Sequence, residues 1–434
     1  MTDVSGPSAT VVESIGVVGA GTMGAGIAQI ACLGGYEARL HDPVPEALDA
    51  GMERVRAALA KGAERGRWSE ADAEAAGACL SPAPSLSDLS DCDLVIEAAP
   101  EDLELKRELF ASLADACGRE AILATNTSSL PVGAIAAEVP HPERVVGMHF
   151  FNPPALMKLV EVVATPASGE AALEATTEAG RHMGRTPIRA TDSPGFVANR
   201  LARPFTLESL RMLADEVADA ATIDRVCRLG GGFRMGPFEL IDLIGLDVNL
   251  SVARSFYEQG GQPERWRPSP LQERLVAEGH LGRKSGRGFY EYDDSGRPVQ
   301  PSGAPSAQHA SKRRTGTSEE PTLDVDALRK IDPAAPQILP RLITQIANEA
   351  AFALEEQVAS PDDIDTAMRL GFNWPLGPLE FADLIGAPSA VETLERLMRE
   401  QGPAYAPAPL LRTAADRCVG LRNVFDSPEE PRTR

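Results

Sequence analysis

The sequence Ile15-Gly16-Val17-Val18-Gly19-Ala20-Gly21-Thr22-Met23-Gly24 decides the first part of the fold. It begins with a short apolar run that is typical of a buried strand, and a helical pattern follows over Ala25–Leu33. Between the two, glycines allow a tight turn, the close approach of a pyrophosphate and close helix packing, and the helix N-terminus faces the anion. This context predicts a dinucleotide site at Gly19, Gly21, Thr22, Met23 and Gly24.

Asp42 ends the next predicted strand, 21 residues after Gly21. A carboxylate at this position accepts hydrogen bonds from a ribose 2′-hydroxyl and repels a 2′-phosphate. Asp42 therefore favours NAD over NADP as the cofactor. The nearby cation Arg39 weakens this argument.

Short apolar runs alternate with helical patterns from the quoted motif to about Ala190, which is typical of a parallel sheet covered by helices. The excursion Pro45–Ala78 is too long for a simple connection and predicts a helical hairpin with a break around Gly62–Arg67. The predicted strands are Ile15–Val18, Glu37–His41, Asp93–Glu97, Ala121–Thr125, Val145–Met148, Leu159–Val163 and Pro187–Arg189.

The strand signal ends at Asp192-Ser193-Pro194-Gly195, and helical patterns follow. A helical motif recurs 141 residues later, from Gly236-Pro237-Phe238-Glu239 to Gly377-Pro378-Leu379-Glu380, which indicates a duplication. We therefore predict an α/β Rossmann-type domain followed by two all-α C-terminal domains. The predicted limits are 14–191 for the NAD-binding domain, 192–292 for the first helical copy, 293–320 for a flexible linker rich in Ser, Gly and Pro, and 321–423 for the second copy.

The composition is that of an ordinary globular protein, because 43% of its 434 residues are hydrophobic and 24% are charged. The net charge of −21 argues against binding to nucleic acid or anionic lipid. No apolar run approaches the roughly 18 residues of a membrane span, and Met1–Pro7 lacks an export signal. The six cysteines are scattered without metal-ligand spacing, so we expect reduced thiols, no metal site and a cytoplasmic location.

His149 stands in a dense motif, Gly147-Met148-His149-Phe150-Phe151-Asn152-Pro153-Pro154, at the end of a predicted strand. Ligand crevices form at such strand ends. Glu161 is a lone carboxylate in the next apolar run and needs a partner if it is buried. A His–Glu pair meets this need and makes a general base, although the pattern alone allows a structural histidine equally well.

Four motifs in this order resemble the 3-hydroxyacyl-CoA dehydrogenase family. They are Asn126-Thr127-Ser128-Ser129-Leu130, His149-Phe150-Phe151-Asn152-Pro153, Asp192-Ser193-Pro194-Gly195-Phe196-Val197-Ala198-Asn199-Arg200 and Gly282-Arg283-Lys284-Ser285-Gly286-Arg287-Gly288-Phe289-Tyr290. The resemblance covers nearly the whole folded chain. It implies oxidation of L-3-hydroxyacyl-CoA to 3-oxoacyl-CoA with NAD.

The resemblance also implies roles for individual residues. His149 is the implied base and Glu161 its orienting partner, while Ser128 and Asn199 contact the reacting oxygen of the substrate. The implied cofactor contacts are Glu101, Lys106, Ser128, Asn152 and Lys284.

The acyl-CoA substrate carries a 3′-phosphate that requires cations, and the Pro45–Ala78 hairpin supplies several in an otherwise acidic chain. We assign Lys61 and Arg65 to substrate binding, with Arg54, Arg56 and Arg67 nearby. The alternative is that these charges only make the helix face soluble.

Two other functions fit the dinucleotide motif. A Rossmann dehydrogenase of small hydroxy acids, of the 3-hydroxyisobutyrate group, relies on a catalytic lysine, whereas this sequence offers His149 and Glu161. A non-catalytic NAD-binding sensor or structural protein has no need to keep Ser128, His149, Glu161 and Asn199 together.

The second helical copy resembles the longer bacterial enzymes of phenylacetate breakdown and the dehydrogenase part of multifunctional β-oxidation proteins. Either 3-hydroxybutyryl-CoA or 3-hydroxyadipyl-CoA is then the expected substrate. Pro340 takes the place of Asn199 in this copy, which also lacks a counterpart of Lys284–Tyr290. We therefore expect an intrachain pseudo-dimer of helical copies without a second active site, and leave open whether the whole chain forms a homodimer.

Overall fold

The computed structural model describes residues 11–299 and 324–425. The chain divides into two compact units, Met1–Phe196 and Val197–Arg434. Residues 1–10 and 300–320, on which the predictions of the amino terminus and of most of the linker fall, lie outside the described part. The predicted domain limits therefore remain predictions.

The first unit contains one eight-stranded sheet with the order β3-β2-β1-β4-β5-β6-β7-β8. The sheet is Rossmann-like, as predicted, because β1 lies between β2 and β4 and pairs with both in parallel. The strands are β1 (Ser14–Val18), β2 (Glu37–His41), β3 (Leu80–Ala83), β4 (Leu94–Glu97), β5 (Ile122–Thr125), β6 (Val145–Phe150), β7 (Leu159–Ala164) and β8 (Thr186–Thr191).

Two features of this sheet correct the sequence analysis. Strand β3 was not predicted, because it is short, contains Pro82 and exposes its two central residues. It lies at the edge of the sheet, where proline is tolerated. Strand β7 is antiparallel to β6, since a connection of only eight residues, 151–158, is too short for a parallel crossover.

Among the described residues of the first unit, six α-helices accompany the sheet, and the predicted hairpin is confirmed as two of them, with Gly66 at positive φ in the break. The helices are α1 (Thr22–Leu33), α2 (Pro45–Glu64), α3 (Glu70–Ala78), α4 (Leu103–Ala116), α5 (Val132–Ala136) and α6 (Glu170–His182). Strands β4, β5 and β6 are buried along their whole length, as expected of strands covered on both faces. Short 3-10 helices cover Leu86–Leu89 and Pro142–Arg144.

The second unit is helical in both described segments. Its first segment contains α7 (Ala198–Ala214), α8 (Ala220–Leu229), α9 (Pro237–Ile244), α10 (Leu246–Gln259) and α11 (Pro270–Ala277). Its second segment contains α12 (Val325–Ile331), α13 (Ala335–Glu355), α14 (Pro361–Gly371), α15 (Pro378–Ile385), α16 (Ala387–Gln401) and α17 (Pro409–Arg417). Short 3-10 helices cover Glu264–Trp266, Arg283–Ser285, Pro403–Tyr405 and Leu421–Asn423.

The glycine of the repeated Gly-Pro motif has the same structural role in both copies. Buried Asp224 accepts a hydrogen bond from the Phe238 backbone N–H at 2.9 Å, and Asp365 accepts one from Leu379 at 2.8 Å. A Cβ atom at Gly236 would lie 2.2 Å from the Asp224 carboxyl carbon, and one at Gly377 would lie 2.1 Å from that of Asp365. Each glycine therefore makes room for the carboxylate that caps the next helix.

The two helical copies contact each other through reciprocal ion pairs. Arg200 binds Glu349 at 2.8 Å, and the equivalent pair, Arg341 and Glu208, is formed in the opposite sense. Arg200 also binds Glu356 at 2.6 Å, as Arg341 binds Asp215 at 3.0 Å. Each of these residues has its counterpart 141 positions away, so the pattern is that of an isologous, twofold contact.

Candidate functional site

The candidate cofactor residues follow the carboxyl ends of neighbouring parallel strands. Gly19 follows β1, Asp42 follows β2, Glu101 lies four residues after β4, and Ser128 lies three residues after β5. His149 is the fifth residue of β6, next to the end of that strand. One edge of the sheet thus gathers these side chains, as the βα connections require.

The glycine-rich turn is built for close approach. Gly19 has a φ of +99°, and a Cβ atom there would lie 2.6 Å from the Ala98 carbonyl oxygen. At Gly24, a Cβ atom would lie 1.7 Å from the Gly19 carbonyl oxygen. At Gly21, by contrast, a Cβ atom meets nothing within 4 Å. The first and third glycines hold the turn, and the exposed second one leaves its outer face open to an incoming group.

The turn opens directly into α1, whose first residues are the predicted contacts Thr22 and Met23. The first turn of this helix contains no acidic side chain. Its backbone N–H groups and dipole therefore favour an anion at Gly21 and Thr22, and a pyrophosphate fits this end of the helix.

Asp42 is tied to the turn by its own carboxylate. One oxygen accepts a hydrogen bond from the Ala20 N–H at 2.9 Å, and the other accepts one from Val44 at 3.0 Å. Because a carboxylate has about four lone-pair sites, it can also accept bonds from a ribose. Arg39 instead donates to the Asp88 carbonyl oxygen at 2.7 Å and pairs with Asp91. Its charge is thereby compensated, which weakens it as a ligand for a 2′-phosphate.

His149 and Glu161 form a buried pair. They lie directly opposite each other in the antiparallel register of β6 and β7, and His149 Nδ1 is 2.6 Å from Glu161 Oε2. The histidine is 5% exposed and the glutamate is fully buried. With the Nδ1 proton donated to Glu161, the other ring nitrogen, Nε2, remains as an acceptor.

Aromatic rings enclose this imidazole. The Phe151 ring centroid lies 4.6 Å from that of His149, and the Phe196 centroid lies 5.8 Å away. Both rings are tilted against the imidazole, which restricts its orientation and excludes water from its faces. Nearby, the Asn126 side chain accepts a hydrogen bond from the Phe150 N–H at 2.8 Å and joins the ends of β5 and β6.

Ser128 and Glu101, two predicted site residues, are brought together. Glu101 Oε1 accepts hydrogen bonds from the Ser128 N–H at 3.0 Å and from the Thr127 hydroxyl at 2.7 Å. The Ser128 hydroxyl is farther away, at 3.4 Å. Burial opposes ionisation of Glu101, but the Thr127 hydroxyl and the Lys106 charge outweigh it and lower the pKa of Glu101. Glu101 is therefore a carboxylate that shapes the loop carrying Ser128.

Lys106 lies under this loop rather than in solvent. It is 1% exposed, and its Nζ is 2.5 Å from Glu97 Oε1 and 3.5 Å from Glu101 Oε2. Glu97 is fully buried and also accepts a hydrogen bond from the Thr125 hydroxyl at 2.6 Å. The sequence analysis missed Glu97. Its sequence signal is the same as that of Glu161, since each is a lone carboxylate in an apolar strand.

The other predicted residues are not gathered by the described contacts. Asn152 is exposed on the connection between β6 and β7, and Lys61 and Arg65 are exposed at the carboxyl end of α2. Asn199 and Lys284 belong to the helical unit, where Asn199 is the second residue of α7 and Lys284 binds Asp247 at 2.7 Å. Of the neighbouring cations, Arg54 donates to the Ala20 carbonyl oxygen at 2.8 Å and so supports the glycine turn.

The described residues contain neither a metal-binding cluster nor a membrane-spanning helix. Within residues 11–299 and 324–425, no three acidic, histidine or cysteine side chains are grouped so that they could hold a metal ion. Over the same ranges, no helix combines the length and the apolar character needed to cross a membrane.

The chain matches two family models over most of its length. Residues 14–193 match the model of the 3-hydroxyacyl-CoA dehydrogenase NAD-binding domain. Residues 195–292 and 338–418 match the model of the C-terminal domain of the same family, so both helical copies correspond to that domain.

Individual relatives match either most of this chain or about two thirds of it. The chain is 37% identical to the 3-hydroxyadipyl-CoA dehydrogenase of Escherichia coli, over 93% of this chain and 98% of that protein. It is 41% identical to a probable 3-hydroxybutyryl-CoA dehydrogenase of Bacillus subtilis, over 65% of this chain and 98% of that protein. A crystal structure of 3-hydroxybutyryl-CoA dehydrogenase from E. coli K12 superposes with a TM-score of 0.81 at 36% identity, covering 94% of this chain and 99% of that one.

Proposed function

Because the chain belongs to the 3-hydroxyacyl-CoA dehydrogenase family and is an NAD-dependent enzyme of that class, we propose that His149 is its general base and that it oxidises short L-3-hydroxyacyl-CoA substrates to 3-oxoacyl-CoA. The observation that carries this proposal is the buried pair of His149 and Glu161 at 2.6 Å. Among the short substrates, 3-hydroxybutyryl-CoA and 3-hydroxyadipyl-CoA are the two named for relatives of this chain.

In the oxidation, the substrate's 3-hydroxyl group gives its proton to Nε2 of His149. The imidazole becomes cationic, and the Glu161 carboxylate at Nδ1 stabilises the charge and keeps the ring in orientation. The rings of Phe151 and Phe196 keep water from the imidazole, which strengthens its interaction with Glu161. When bound, NAD supplies the acceptor for the hydride that leaves C3.

The residues of the glycine turn fit that cofactor. Gly21 leaves space for a pyrophosphate at the start of α1, and Asp42 accepts bonds from the ribose 2′-hydroxyl. Ser128 and Asn199 donate hydrogen bonds to the substrate oxygen, which carries negative charge when the ketone is reduced. The remaining proposed cofactor contacts are Glu101, Lys106, Asn152 and Lys284. Because Lys106 is buried against Glu97, we propose that it acts on the cofactor indirectly, by holding Glu101 in place.

Two further proposals concern partners and location. Lys61 and Arg65 are exposed cations at the carboxyl end of α2 and are proposed to bind the 3′-phosphate of CoA. The second helical copy is proposed to act as a built-in dimerisation partner, supported by the reciprocal pairs Arg200–Glu349 and Arg341–Glu208. The scattered cysteines and acidic composition support a cytoplasmic protein that binds no nucleic acid.

The experiment that tests the proposal is reduction of acetoacetyl-CoA, followed by the loss of NADH absorbance. His149→Gln is expected to lower kcat by about 10²- to 10⁴-fold, the usual effect of removing a general base, with NADH affinity retained. Glu161→Gln is expected to lower kcat less. The matched control is His141→Gln, on a turn outside the sheet edge, with unchanged kcat. An unchanged kcat in the His149 variant would remove His149 from this role.

A further inference from the structure

Arg203 is a buried arginine without a charged partner in the described part of the chain. Four arginines there are buried: Arg144, Arg200, Arg203 and Arg341. Arg200 and Arg341 bind carboxylates, and Arg144 donates to backbone carbonyl oxygens. Arg203 is 6% exposed, and its buried Nε and Nη1 atoms have no hydrogen-bond partner among the described residues. Its guanidinium carbon lies 5.5 Å from the centroid of the Phe256 ring.

This environment is costly for a cation. A charge removed from water needs an opposite charge or hydrogen bonds, and one aromatic ring compensates only a small part of the loss. Burial lowers the pKa of Arg203 to about 10, and no carboxylate opposes that shift. Guanidinium groups remain charged at neutral pH, so Arg203 lacks an anionic partner among the described residues.

The position of Arg203 connects it with the proposed substrate. It lies four residues after Asn199 on α7, so both side chains are on one face of the helix. Side chains in a helix lean toward its amino end, which directs Arg203 toward Asn199. In the second copy the equivalent residues are Pro340 and Thr344, so the asparagine and the arginine are absent together. The paired Arg200, in contrast, is retained there as Arg341.

From this geometry we infer that Arg203 binds a carboxylate at the far end of the acyl chain, so that the preferred substrates are 3-hydroxyacyl-CoA esters with a terminal carboxylate. The inference rests on the proposed function, and within it on the contact between Asn199 and the 3-oxygen. It deepens that function, because it selects the dicarboxylic class of substrate over the unsubstituted short chain.

The length of a six-carbon chain agrees with the spacing on α7. Four residues of helix rise about 6 Å. The terminal carbon of a 3-hydroxyadipyl group lies three bonds beyond C3, roughly 4 Å when extended at about 1.5 Å per bond. The 3-oxygen and the carboxylate oxygens, which are the atoms that bind, lie farther apart than these two carbons. The flexible arginine side chain can make up the rest of the spacing between Asn199 and Arg203. A four-carbon hydroxybutyryl chain ends one bond beyond C3 and brings no charge to Arg203.

The test compares two six-carbon substrates that differ only in charge, 3-hydroxyadipyl-CoA and 3-hydroxyhexanoyl-CoA, with NAD. The wild type is expected to prefer the dicarboxylic substrate in kcat/KM, and Arg203→Met to lower the ratio of the two kcat/KM values by roughly 10- to 100-fold, the usual worth of a hydrogen-bonded charge. Arg203→Lys should restore part of the ratio. The control Arg274→Met removes an exposed arginine of α11 and should keep the wild-type ratio.

An unchanged ratio in Arg203→Met, or an equal loss for both substrates, would overturn the inference. If that variant does not fold, the affinities of the wild type for adipyl-CoA and hexanoyl-CoA are measured instead. Adipyl-CoA should bind at least tenfold more tightly, and equal affinities overturn the inference. Failure of the proposed function is a different result, since the wild type would then turn over neither of the two substrates nor 3-hydroxybutyryl-CoA.

Discussion

At the scale of single residues, the buried strand carboxylates Glu161 and Glu97 have different partners. Glu161 orients an imidazole, whereas Glu97 holds the ammonium group of Lys106. Removing one member of a buried ion pair is strongly destabilising, and without Glu97 the buried Lys106 would keep only the more distant Glu101 carboxylate, at 3.5 Å, as an ion-pair partner among the described residues.

We therefore predict that Glu97→Gln lowers the free energy of unfolding by about 3–5 kcal/mol. The measurement is urea denaturation followed by circular dichroism. Glu104→Gln is the matched control, because this glutamate is exposed on α4, and its variant should unfold like the wild type. An unchanged midpoint for Glu97→Gln would mean that the charge of Glu97 is not needed by Lys106.

Asp42 combines two interactions that a substitution separates. It bonds the glycine turn through the Ala20 N–H, and its charge opposes a 2′-phosphate. Asp42→Ser is expected to raise KM for NADH and to narrow the preference for NADH over NADPH, as measured by initial rates with each cofactor. Asp49→Ser, an exposed change on α2, should leave both values unchanged. Equal use of NADPH by the wild type would contradict the role given to Asp42.

At the scale of elements, the hairpin of α2 and α3 presents cations on distinct faces. Lys61 lies in the last turn of α2 and Arg65, four residues later, caps the carboxyl end of that helix, whereas Arg56 lies about 140° around the helix from Lys61. Lys61 and Arg65 together offer two neighbouring cations to a phosphate.

The double variant Lys61→Gln/Arg65→Gln is expected to raise KM for acetoacetyl-CoA about tenfold, with kcat nearly unchanged, since these residues are far in the sequence from the reacting groups. The effect should disappear with the 3′-dephospho-CoA ester. Arg56→Gln is the control, as an exposed cation of the same helix. A KM that rises equally with both esters would show that these cations do not recognise the 3′-phosphate.

At the scale of the whole molecule, the helical copies complete each other. Buried Glu208 forms an ion pair with Arg341 and accepts a hydrogen bond from the Tyr405 hydroxyl. Glu349 forms an ion pair with Arg200 and accepts a hydrogen bond from the Trp266 indole N–H. Without the second copy, Glu208 would lose its buried partners.

Truncation after Val299 is therefore predicted to give a protein that dimerises or aggregates and unfolds at a lower temperature than the full chain. Light scattering after size exclusion and thermal unfolding measure both effects. Arg341→Met should destabilise the full chain by about 3–5 kcal/mol, whereas Arg396→Met, in an exposed pair with Glu400, should have little effect. A soluble, fully active monomer from the truncated chain would contradict the proposed built-in partner.

The sequence by itself determined the features that depend on neighbours along the chain. The glycine turn, the hairpin and most strands are predictable because strand and helix periods, glycine and proline act over a few residues. The helical duplication is predictable because a motif recurs at a fixed offset of 141 residues. Glu161 was recognised in the same way, as a carboxylate in an apolar run. Strand β3 escaped because an edge strand with Pro82 carries little of that pattern.

Only the tertiary structure decided which charges meet. The ion-pair partners of Arg200 and Arg341 are more than 120 residues away along the chain, and the burial of Lys106 depends on β4, which places Glu97 against its ammonium group. The lack of a charged partner at Arg203 among the described residues likewise has no sequence signal, since the same α7 carries an arginine that binds two glutamates three residues earlier. Whether a buried charge is compensated depends on groups that folding brings together from distant segments, and local pattern contains no information on that pairing.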